Sequence, residues 1–309
     1  MYAGHNRALI ELAKQNEQIV SCYADFPGGA AADVFKKEFP DRYIDVGIAE
    51  GHLITAAAGL ADAGFIPFTH CHTLFALGRG YNQIRQNVVY DNRNVKIVLC
   101  TSGVVWGGIG PSHLSVEDIA ALRAVPNLVL LSPADDVSAE KATYAAAVHN
   151  GPVAIRLHAG EFPTVYTGDL TYEIGKSLCL SDGMDAAIVA TGILVHEALL
   201  AAEALQKEGI QARVLDMHTI KPLDEAAVLS AARETGAIVT VEDASVIGGL
   251  GGAVAELVSE KSPAIVRKVG VLDRFGDSGT TEEIKKTFGL TAESICSAVR
   301  RAIAAKHSV

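Results

Sequence analysis

Short apolar runs alternate with stretches of helical spacing along the first half of the chain. The spacing predicts helices over Asn6–Gln15, Glu50–Ala63, Val116–Leu122 and Ala139–His149. Runs of branched apolar residues predict strands over Ile19–Cys22, Tyr43–Asp45, Ile66–Thr69, Val95–Cys100, Leu128–Leu131 and Val153–Arg156. Alternation of this kind is typical of a mostly parallel sheet with helices on both faces.

The pattern breaks at Gly160–Tyr172, where turn-forming residues and Pro163 interrupt it, and then resumes. The strands predicted in the second half are Ala186–Ala190, Ala212–Asp216, Ala237–Glu242 and Ile265–Gly270. The helices predicted between them are Leu194–Glu208, Glu225–Thr235 and Leu250–Lys261. We therefore expect an α/β fold of two doubly wound domains, in which a linker at 163–173 joins residues 1–162 to a smaller unit at 174–309.

Composition and charge narrow the possible functions. The 309 residues are 49% hydrophobic and 20% charged, with a net charge of −10, which is typical of a soluble protein of about two domains. The negative charge disfavours nucleic acid and anionic membrane as partners, because both attract clustered Lys and Arg. The N-terminal segment MYAGHNRALIELAKQ lacks a signal core, and no apolar run is long enough to span a membrane. We expect a cytoplasmic protein.

The cysteines indicate a reduced environment. They are odd in number and widely spaced, at Cys22, Cys71, Cys100, Cys179 and Cys296, which predicts free thiols that lie mostly in the core. The tripeptide His70-Cys71-His72 raises the question of a metal site. Alternate residues of a strand place the two histidines on one face but supply only two ligands, so zinc is the less favoured interpretation.

Glu50 is notable because it lies among small and apolar residues in the segment DVGIAEGHLITAAAGL. Burying an unpaired carboxylate costs several kcal/mol or favours the protonated form. Such an acid is either a structural group at a helix start or a group that handles protons. From this segment alone, the structural interpretation is slightly favoured.

No local motif assigns nucleotide binding or a nucleophile. The glycine-rich segment at 248–252 follows a predicted strand and opens a helix, but Val254 stands where a dinucleotide fingerprint needs glycine. A tight turn with close helix–sheet contact is the favoured interpretation. The sequence has no P-loop and no G-x-S-x-G elbow. Asp243 is more simply explained as a helix or turn acid than as a functional group.

Six blocks, taken in order, resemble the C-terminal half of a transketolase. They are DVGIAEGHLITAAAGLADAGFIPF at 45–68, RGYNQIRQ at 79–86, PSHLSVEDIAALRAVPNLVLLSPAD at 111–135, GPVAIRL at 151–157, DMHTIKPLD at 216–224 and VEDASVIGGLGGAVAE at 241–256. The likeness covers nearly the whole chain. It extends more loosely to deoxyxylulose-phosphate synthases and to β subunits of 2-oxoacid dehydrogenases.

The resemblance implies a cofactor and a partner. In that family this half contains a pyrimidine-binding domain and a C-terminal domain, and a preceding domain binds the diphosphate of thiamine diphosphate through a metal ion. The GDG signature of the preceding domain is absent from this sequence. The chain therefore resembles one subunit of a split transketolase. An N-terminal partner subunit carrying GDG and a downstream Asn would hold the diphosphate and Mg²⁺ or Ca²⁺, in an expected α2β2 heterotetramer.

The same resemblance implies roles for individual residues. Glu50 matches the acid that hydrogen-bonds the aminopyrimidine and activates the cofactor. Phe75 matches the ring that stacks on the aminopyrimidine, and His72 matches a second aromatic position of that pocket. His113 matches the histidine that faces the substrate hydroxyls. The residues expected to line the same cavity are Ile48, Leu74 and Tyr81.

Without the resemblance, the residues themselves leave two of these roles open. Phe75 would be assigned to the core, because a buried phenylalanine usually serves packing. His113 would be divided evenly between a functional loop residue and a surface residue.

The chain departs from the family pattern where a sugar phosphate is normally held. The departures are Gly108 and Ile109 in place of acidic residues, Thr101 in place of a histidine, Ala159 in place of an arginine, and Met1 and Tyr2 near the position of another arginine. Phosphate is bound best by fixed arginine forks. We therefore expect an altered substrate, such as a sulfonated, branched or unphosphorylated sugar, or another carbonyl compound.

Candidate substrate contacts remain among the histidines and hydroxyls. His113, His72, Thr101 and His158 are predicted to bind the substrate, and His70 could also contact an anion.

Two other functions remain open. A β subunit of a 2-oxoacid dehydrogenase-like enzyme would decarboxylate pyruvate-like donors, although the blocks RGYNQIRQ and PSH favour transketolase. A non-catalytic regulatory scaffold would account for the altered substrate positions. The retention of Glu50, Phe75 and His113 favours catalysis over that scaffold role.

Overall fold

The computed structural model describes residues 1–26 and 32–307. The strands of the first half are β1 (Ile19–Tyr23), β2 (Tyr43–Asp45), β3 (Ile66–His72), β4 (Lys96–Cys100), β5 (Val129–Leu131) and β6 (Val153–Leu157). Its helices are α1 (Tyr2–Gln15), α2 (Ala32–Glu38), α3 (Glu50–Asp62), α4 (Thr73–Gln83), α5 (Asp118–Arg123) and α6 (Asp136–Val148). A π-helical segment at Ile84–Val89 continues α4.

The second half repeats the alternation in a smaller unit. Its strands are β7 (Leu178–Ser181), β8 (Ala186–Ala190), β9 (Ala212–Asp216), β10 (Thr219–Lys221), β11 (Ala237–Ser245) and β12 (Ile265–Val271). Its helices are α7 (Leu194–Gln206), α8 (Glu225–Thr235), α9 (Leu250–Lys261), α10 (Thr281–Phe288) and α11 (Ala292–Lys306). Among the described residues, no helix combines the length and apolar character needed to span a bilayer.

The strands form two mostly parallel sheets, which confirms the predicted fold class. The first has the order β10-β5-β6-β4-β3-β1-β2, and the second has the order β12-β11-β8-β9-β7. Strands β1, β4, β5, β6, β8 and β9 are buried along their whole length. Helices therefore cover both faces, as the continuous apolar runs predict.

The sequence pattern did not predict the edge strands β7 and β10. Both are short and antiparallel, β7 to β9 and β10 to β5, and neither has the long apolar run of a central strand. β10 also comes from the second half of the chain yet pairs in the first sheet.

Helix α1 begins at Tyr2, four residues before the predicted start. Gly4 lies directly against α6, where an added Cβ would be 1.8 Å from the Asp136 carbonyl oxygen. Glycine is therefore required where these two helices meet. Of the cysteines, Cys22, Cys71, Cys100 and Cys296 are buried free thiols, whereas Cys179 is exposed on the edge strand β7.

Candidate active site

The predicted acid lies at the carboxyl edge of the first sheet. Glu50 is the first residue of α3, which follows β2, and its relative exposure is only 3%. The register pairs His72 of β3 with Cys100 of β4, and Cys100 with Leu157 of β6. Residues that follow these strands are therefore brought to one edge, where ligands bind in open parallel sheets.

Arg79 is the charged neighbour of Glu50. Its Nη1 lies 3.3 and 3.4 Å from the two carboxylate oxygens of Glu50, and its guanidinium carbon lies 4.8 Å from the ring centroid of Phe75. Helices α3 and α4 approach closely here, since a Cβ on Gly51 would lie 3.2 Å from the Arg79 carbonyl oxygen. In the sequence, Arg79 is only the first residue of the block RGYNQIRQ, and no rule of residue spacing links it to Glu50.

Aromatic rings form a cluster beside this pair. The His72 ring centroid lies 5.5 Å from those of Phe75 and His113, and Phe75 lies 5.1 Å from His113. Phe26 contacts His72 edge-on at 4.8 Å. The structure thus brings together three of the predicted site residues, which come from β3, α4 and the loop after β4. Burial, and then His113, lowers the pKa of the His72 imidazole.

Three other predicted residues have different surroundings. Ile48 is 72% exposed just before α3, Leu74 is half-buried in α4, and Tyr81 packs against the core. The Tyr81 hydroxyl donates to the Ala121 carbonyl oxygen at 3.3 Å. The structure therefore gives Tyr81 a packing role between α4 and α5.

The predicted substrate contacts at the ends of β4 and β6 are closed off. Thr101 is buried, and its backbone N–H donates to the Tyr2 hydroxyl at 2.9 Å. His158 has a relative exposure of 1%, and its Nε2 lies 2.7 Å from Asp243 Oδ2. Phe162 contacts the His158 ring edge-on at 6.1 Å. The Nε2 side of His158 is therefore bound within the protein, whereas its Nδ1 is buried without a hydrogen-bond partner among the described residues.

His70 also belongs to the interior. Its Nε2 lies 3.0 Å from His5 Nε2, and His5 Nδ1 lies 2.8 Å from the Thr143 hydroxyl. Burial lowers the pKa of His70 to about 3. Within residues 1–26 and 32–307, no group of three or more His, Cys, Asp or Glu side chains could hold a metal ion.

Buried charges join the two units behind the site. Arg156 pairs with Asp118 at 2.8 Å and with Asp243 at 3.2 Å, and all three side chains are fully buried. Burial acts to raise the pKa of Asp243, but His158 and Arg156 hold it well below its usual range. Asp243 thus bridges Arg156 and His158 and links the two units. The sequence alone favoured a helix or turn acid at this position and did not indicate this role.

The glycine-rich segment at 248–252 serves an internal carboxylate. Glu242 accepts hydrogen bonds from the amides of Leu250 at 2.6 Å and Gly251 at 2.7 Å, at the first turn of α9. A Cβ on Gly249 would lie 2.0 Å from Glu242 Oε2. The helix N-terminus therefore binds the chain's own acid, consistent with the expected close helix–sheet contact.

Comparison with known protein families identifies the family to which this chain belongs. Residues 1–164 match the pyrimidine binding domain of transketolase, and residues 175–295 match the transketolase C-terminal domain. These matches cover most of the chain, so the protein belongs to the transketolase family.

Individual relatives indicate which kind of transketolase this chain resembles. A 6-deoxy-6-sulfo-D-fructose transketolase subunit of Clostridium sp. (strain MSTE9) is 43% identical over 97% of this chain and 93% of its own. An apulose-4-phosphate transketolase subunit of Phocaeicola vulgatus is 38% identical over 93% and 92%. A solved split gene transketolase, described as an inactive beta4 tetramer, has a TM-score of 0.91 at 41% identity and covers 98% of both chains. The chain is therefore the C-terminal section of a split transketolase.

Proposed function

We propose that this chain binds the aminopyrimidine end of thiamine diphosphate and, with a partner subunit, transfers a two-carbon ketol unit from a ketose to an aldehyde. The observation that carries the proposal is the position of Glu50, a buried acid whose partner Arg79 also lies over the ring of Phe75, in the cluster of His72, Phe75 and His113. When bound, thiamine diphosphate supplies the nucleophilic carbon and the electron sink for cleavage of the carbon–carbon bond.

The residues fit an aminopyrimidine. A ring nitrogen needs a buried carboxyl that can donate a proton, and Glu50 is 3% exposed at the carboxyl edge of the sheet. Arg79 contacts this carboxylate at 3.3 Å, and its side chain is 55% exposed, so the aminopyrimidine would displace Arg79 before Glu50 takes up the proton. Phe75 offers an aromatic face beside it. His72 Nδ1 is buried and has no hydrogen-bond partner among the described residues. A buried polar atom of this kind supports a ligand that completes the site.

His113 is assigned to the reacting end of the substrate. Its ring is half-buried against Phe75, and its Nδ1 lies 3.0 Å from the Ser112 hydroxyl. An imidazole held in this way can donate to, or accept from, a sugar hydroxyl near the reacting carbon.

The metal and the diphosphate belong to the partner in this proposal. No metal-binding acid cluster occurs in the described part of this chain, so Mg²⁺ or Ca²⁺ would be held by the N-terminal subunit with the GDG motif. We propose an α2β2 assembly. The inactivity given for the beta4 tetramer of the relative supports the need for a second type of subunit.

The proposed substrate differs from an ordinary pentose phosphate. Ala159 and Tyr2 stand where arginines usually grip phosphate, and Tyr2 caps the buried Thr101. One relative is named for a sulfonated ketose and another for apulose 4-phosphate. We therefore propose a sulfonated, branched or unphosphorylated sugar.

Reconstitution tests the function. The chain would be co-expressed with a GDG-containing N-terminal transketolase subunit from the same genome and assayed with sulfonated, branched and plain ketoses as donors. The expected result is ketol transfer that requires both chains, thiamine diphosphate and a divalent cation. Decarboxylation of pyruvate-like donors would favour the dehydrogenase alternative, and absence of thiamine binding would favour a scaffold. Ordinary efficiency with xylulose 5-phosphate and ribose 5-phosphate would overturn the substrate proposal.

A further inference from the structure

The loop at 101–117, here called the His113 loop, connects β4 to α5 and carries His113. Apart from a short 3-10 turn at Gly107–Ile109, it has no regular structure between its ends. We infer that the second α/β unit positions His113 by holding this loop at several points. The inference rests on the proposed function of His113 and deepens it.

The first point of contact lies at the start of the loop. Gly103 adopts φ +71°, and an added Cβ would lie 1.7 Å from Asp243 Oδ2. The Asp243 carboxylate is fixed from other directions by Arg156 and His158, at 3.2 and 2.7 Å. Arg156 also holds Asp118, the first residue of α5. One buried ionic group thus fixes both ends of the His113 loop.

The second point lies in the middle of the loop. The Gly279 amide donates to the Gly107 carbonyl oxygen at 3.2 Å. A Cβ on Gly107 would lie 2.7 Å from both the Gly279 carbonyl oxygen and Ile284 Cγ1. Ile284 is a fully buried residue of α10, so the loop has no room to move toward that helix.

The third and fourth points flank His113 on its C-terminal side. Leu114 is buried, and a Cβ on Gly276 would lie 2.9 Å from Leu114 Cδ1. The Ser245 amide donates to the Val116 carbonyl oxygen at 2.6 Å. His113 therefore lies between residues that the second unit holds on both sides.

Through these contacts the second unit contributes to catalysis indirectly: it positions His113, although none of its own residues touches the substrate. An irregular loop adopts many conformations unless its surroundings select one. Misplacement of a reacting group by about 1 Å can cost about 100-fold in rate. The residues that hold the loop are therefore positioning residues for His113.

Adjacent glycines provide a matched test. Gly107→Ala would force the loop away from Gly279 and Ile284, whereas Gly108→Ala would meet no atom within 4 Å. Trp106 is the single tryptophan of the chain, so its fluorescence reports on this loop directly. Acrylamide quenching of Trp106 would be measured on the isolated chain, and kcat/KM and thiamine diphosphate affinity on the complex with its partner.

The expected result separates the two variants. Gly107→Ala should increase Trp106 quenching and lower kcat/KM by about 10- to 100-fold, with cofactor affinity unchanged because Glu50 and Phe75 lie on other elements. Gly108→Ala should leave Trp106 quenching at the wild-type value. Gly59→Ala in α3, whose added Cβ also meets no atom within 4 Å, should leave kcat/KM within about twofold of the wild type. Unchanged quenching and activity in Gly107→Ala would overturn the inference.

The inference can still be tested if Gly107→Ala does not fold or if the complex is inactive. If Gly107→Ala does not fold, Leu114→Ala removes a contact without a clash and should shift both measurements in the same direction, and no shift would count against the inference. If the wild-type complex lacks ketol transfer, the proposed function fails, but the quenching comparison still tests whether the second unit holds the loop.

Discussion

The carboxyl edge of the first sheet has two halves with opposite character. In one half, the rings of His72, Phe75 and His113, from β3, α4 and the His113 loop, are half-buried. Beside β4 and β6, Thr101 and His158 are buried under Tyr2 and Phe162. We call these the open half and the closed half.

Under the proposed function, the open half serves the cofactor and the closed half serves the substrate, so the two functions of the site could change separately. The open half keeps the groups that suit an aromatic cofactor. In the closed half, Thr101 is bound by Tyr2 and His158 by Asp243, at positions predicted from the sequence to contact the substrate. A chain built in this way can keep its cofactor while it changes what it accepts as substrate.

Glu50→Gln should have the largest effect, and it tests the open half. The amide cannot exchange a proton with the aminopyrimidine, so kcat of the reconstituted enzyme should fall by about 10²- to 10⁴-fold. Thermal unfolding of the isolated chain should change little, because Gln fills the same space. Activity near that of the wild type would remove the basis for assigning cofactor activation to this half.

His113→Asn should have the next largest effect and separates the halves directly. Loss of the imidazole should lower kcat/KM by about 100- to 1000-fold, the range for removal of one positioned hydrogen-bond donor. Thr101→Ser, in the closed half, is the control and should stay within about threefold, since the Thr101 amide keeps its bond to Tyr2. Equal losses in both variants would erase the distinction.

Tyr2→Arg should open the closed half to phosphate. An arginine fork can form charge-assisted hydrogen bonds with a phosphate, each worth about 1.5 to 3 kcal/mol. The ratio of kcat/KM for a sugar phosphate to that for the unphosphorylated sugar should rise about tenfold. Tyr2→Gln, which also loses the hydroxyl but adds no charge, should leave this ratio unchanged.

The smallest effect concerns His70, which is two residues from His72 but belongs to the core. Because the folded protein holds the pKa of His70 at about 3, against an ordinary value of 6.5, the unfolded chain takes up its proton first as the pH falls. The wild type should therefore lose stability below pH 6.5 in a way that His70→Gln does not.

Denaturant unfolding at pH 7.5 and pH 5 would measure this difference. For one group, the advantage of the wild type over His70→Gln should shrink by about 2 kcal/mol between these values. A constant advantage would indicate that the pKa of His70 is nearly the same in the folded and unfolded chains, which would contradict its assignment to the core.

The sequence predicted the parts of the fold that follow from local pattern. Strands such as Ala186–Ala190 and helices such as Glu225–Thr235 have the predicted bounds, because their burial is continuous or periodic. The edge strand β10 has only three residues and takes its place from tertiary pairing. Such a strand leaves no period to detect.

Prediction of the site from the sequence was likewise limited to features that a local pattern carries. Motif blocks located Glu50 and His113, and the family resemblance added Phe75, which lies between two blocks. The structure brings Phe75 and His113 together with His72. The pairing of Arg79 with Glu50 depends on how α3 and α4 cross, which spacing along the chain does not encode. Likewise, the burial of His158 results from its contact with Asp243, which lies 85 residues away.

Strand β10 has a consequence for how the chain is made. During synthesis the first sheet leaves the ribosome with the edge of β5 unpaired, because Thr219–Lys221 is translated only later. At about 5 to 20 residues per second, several seconds pass before that strand arrives. An unpaired strand edge invites pairing with other chains. While the second half is still being made, the β5 edge of the first half is therefore a site at which this protein can aggregate.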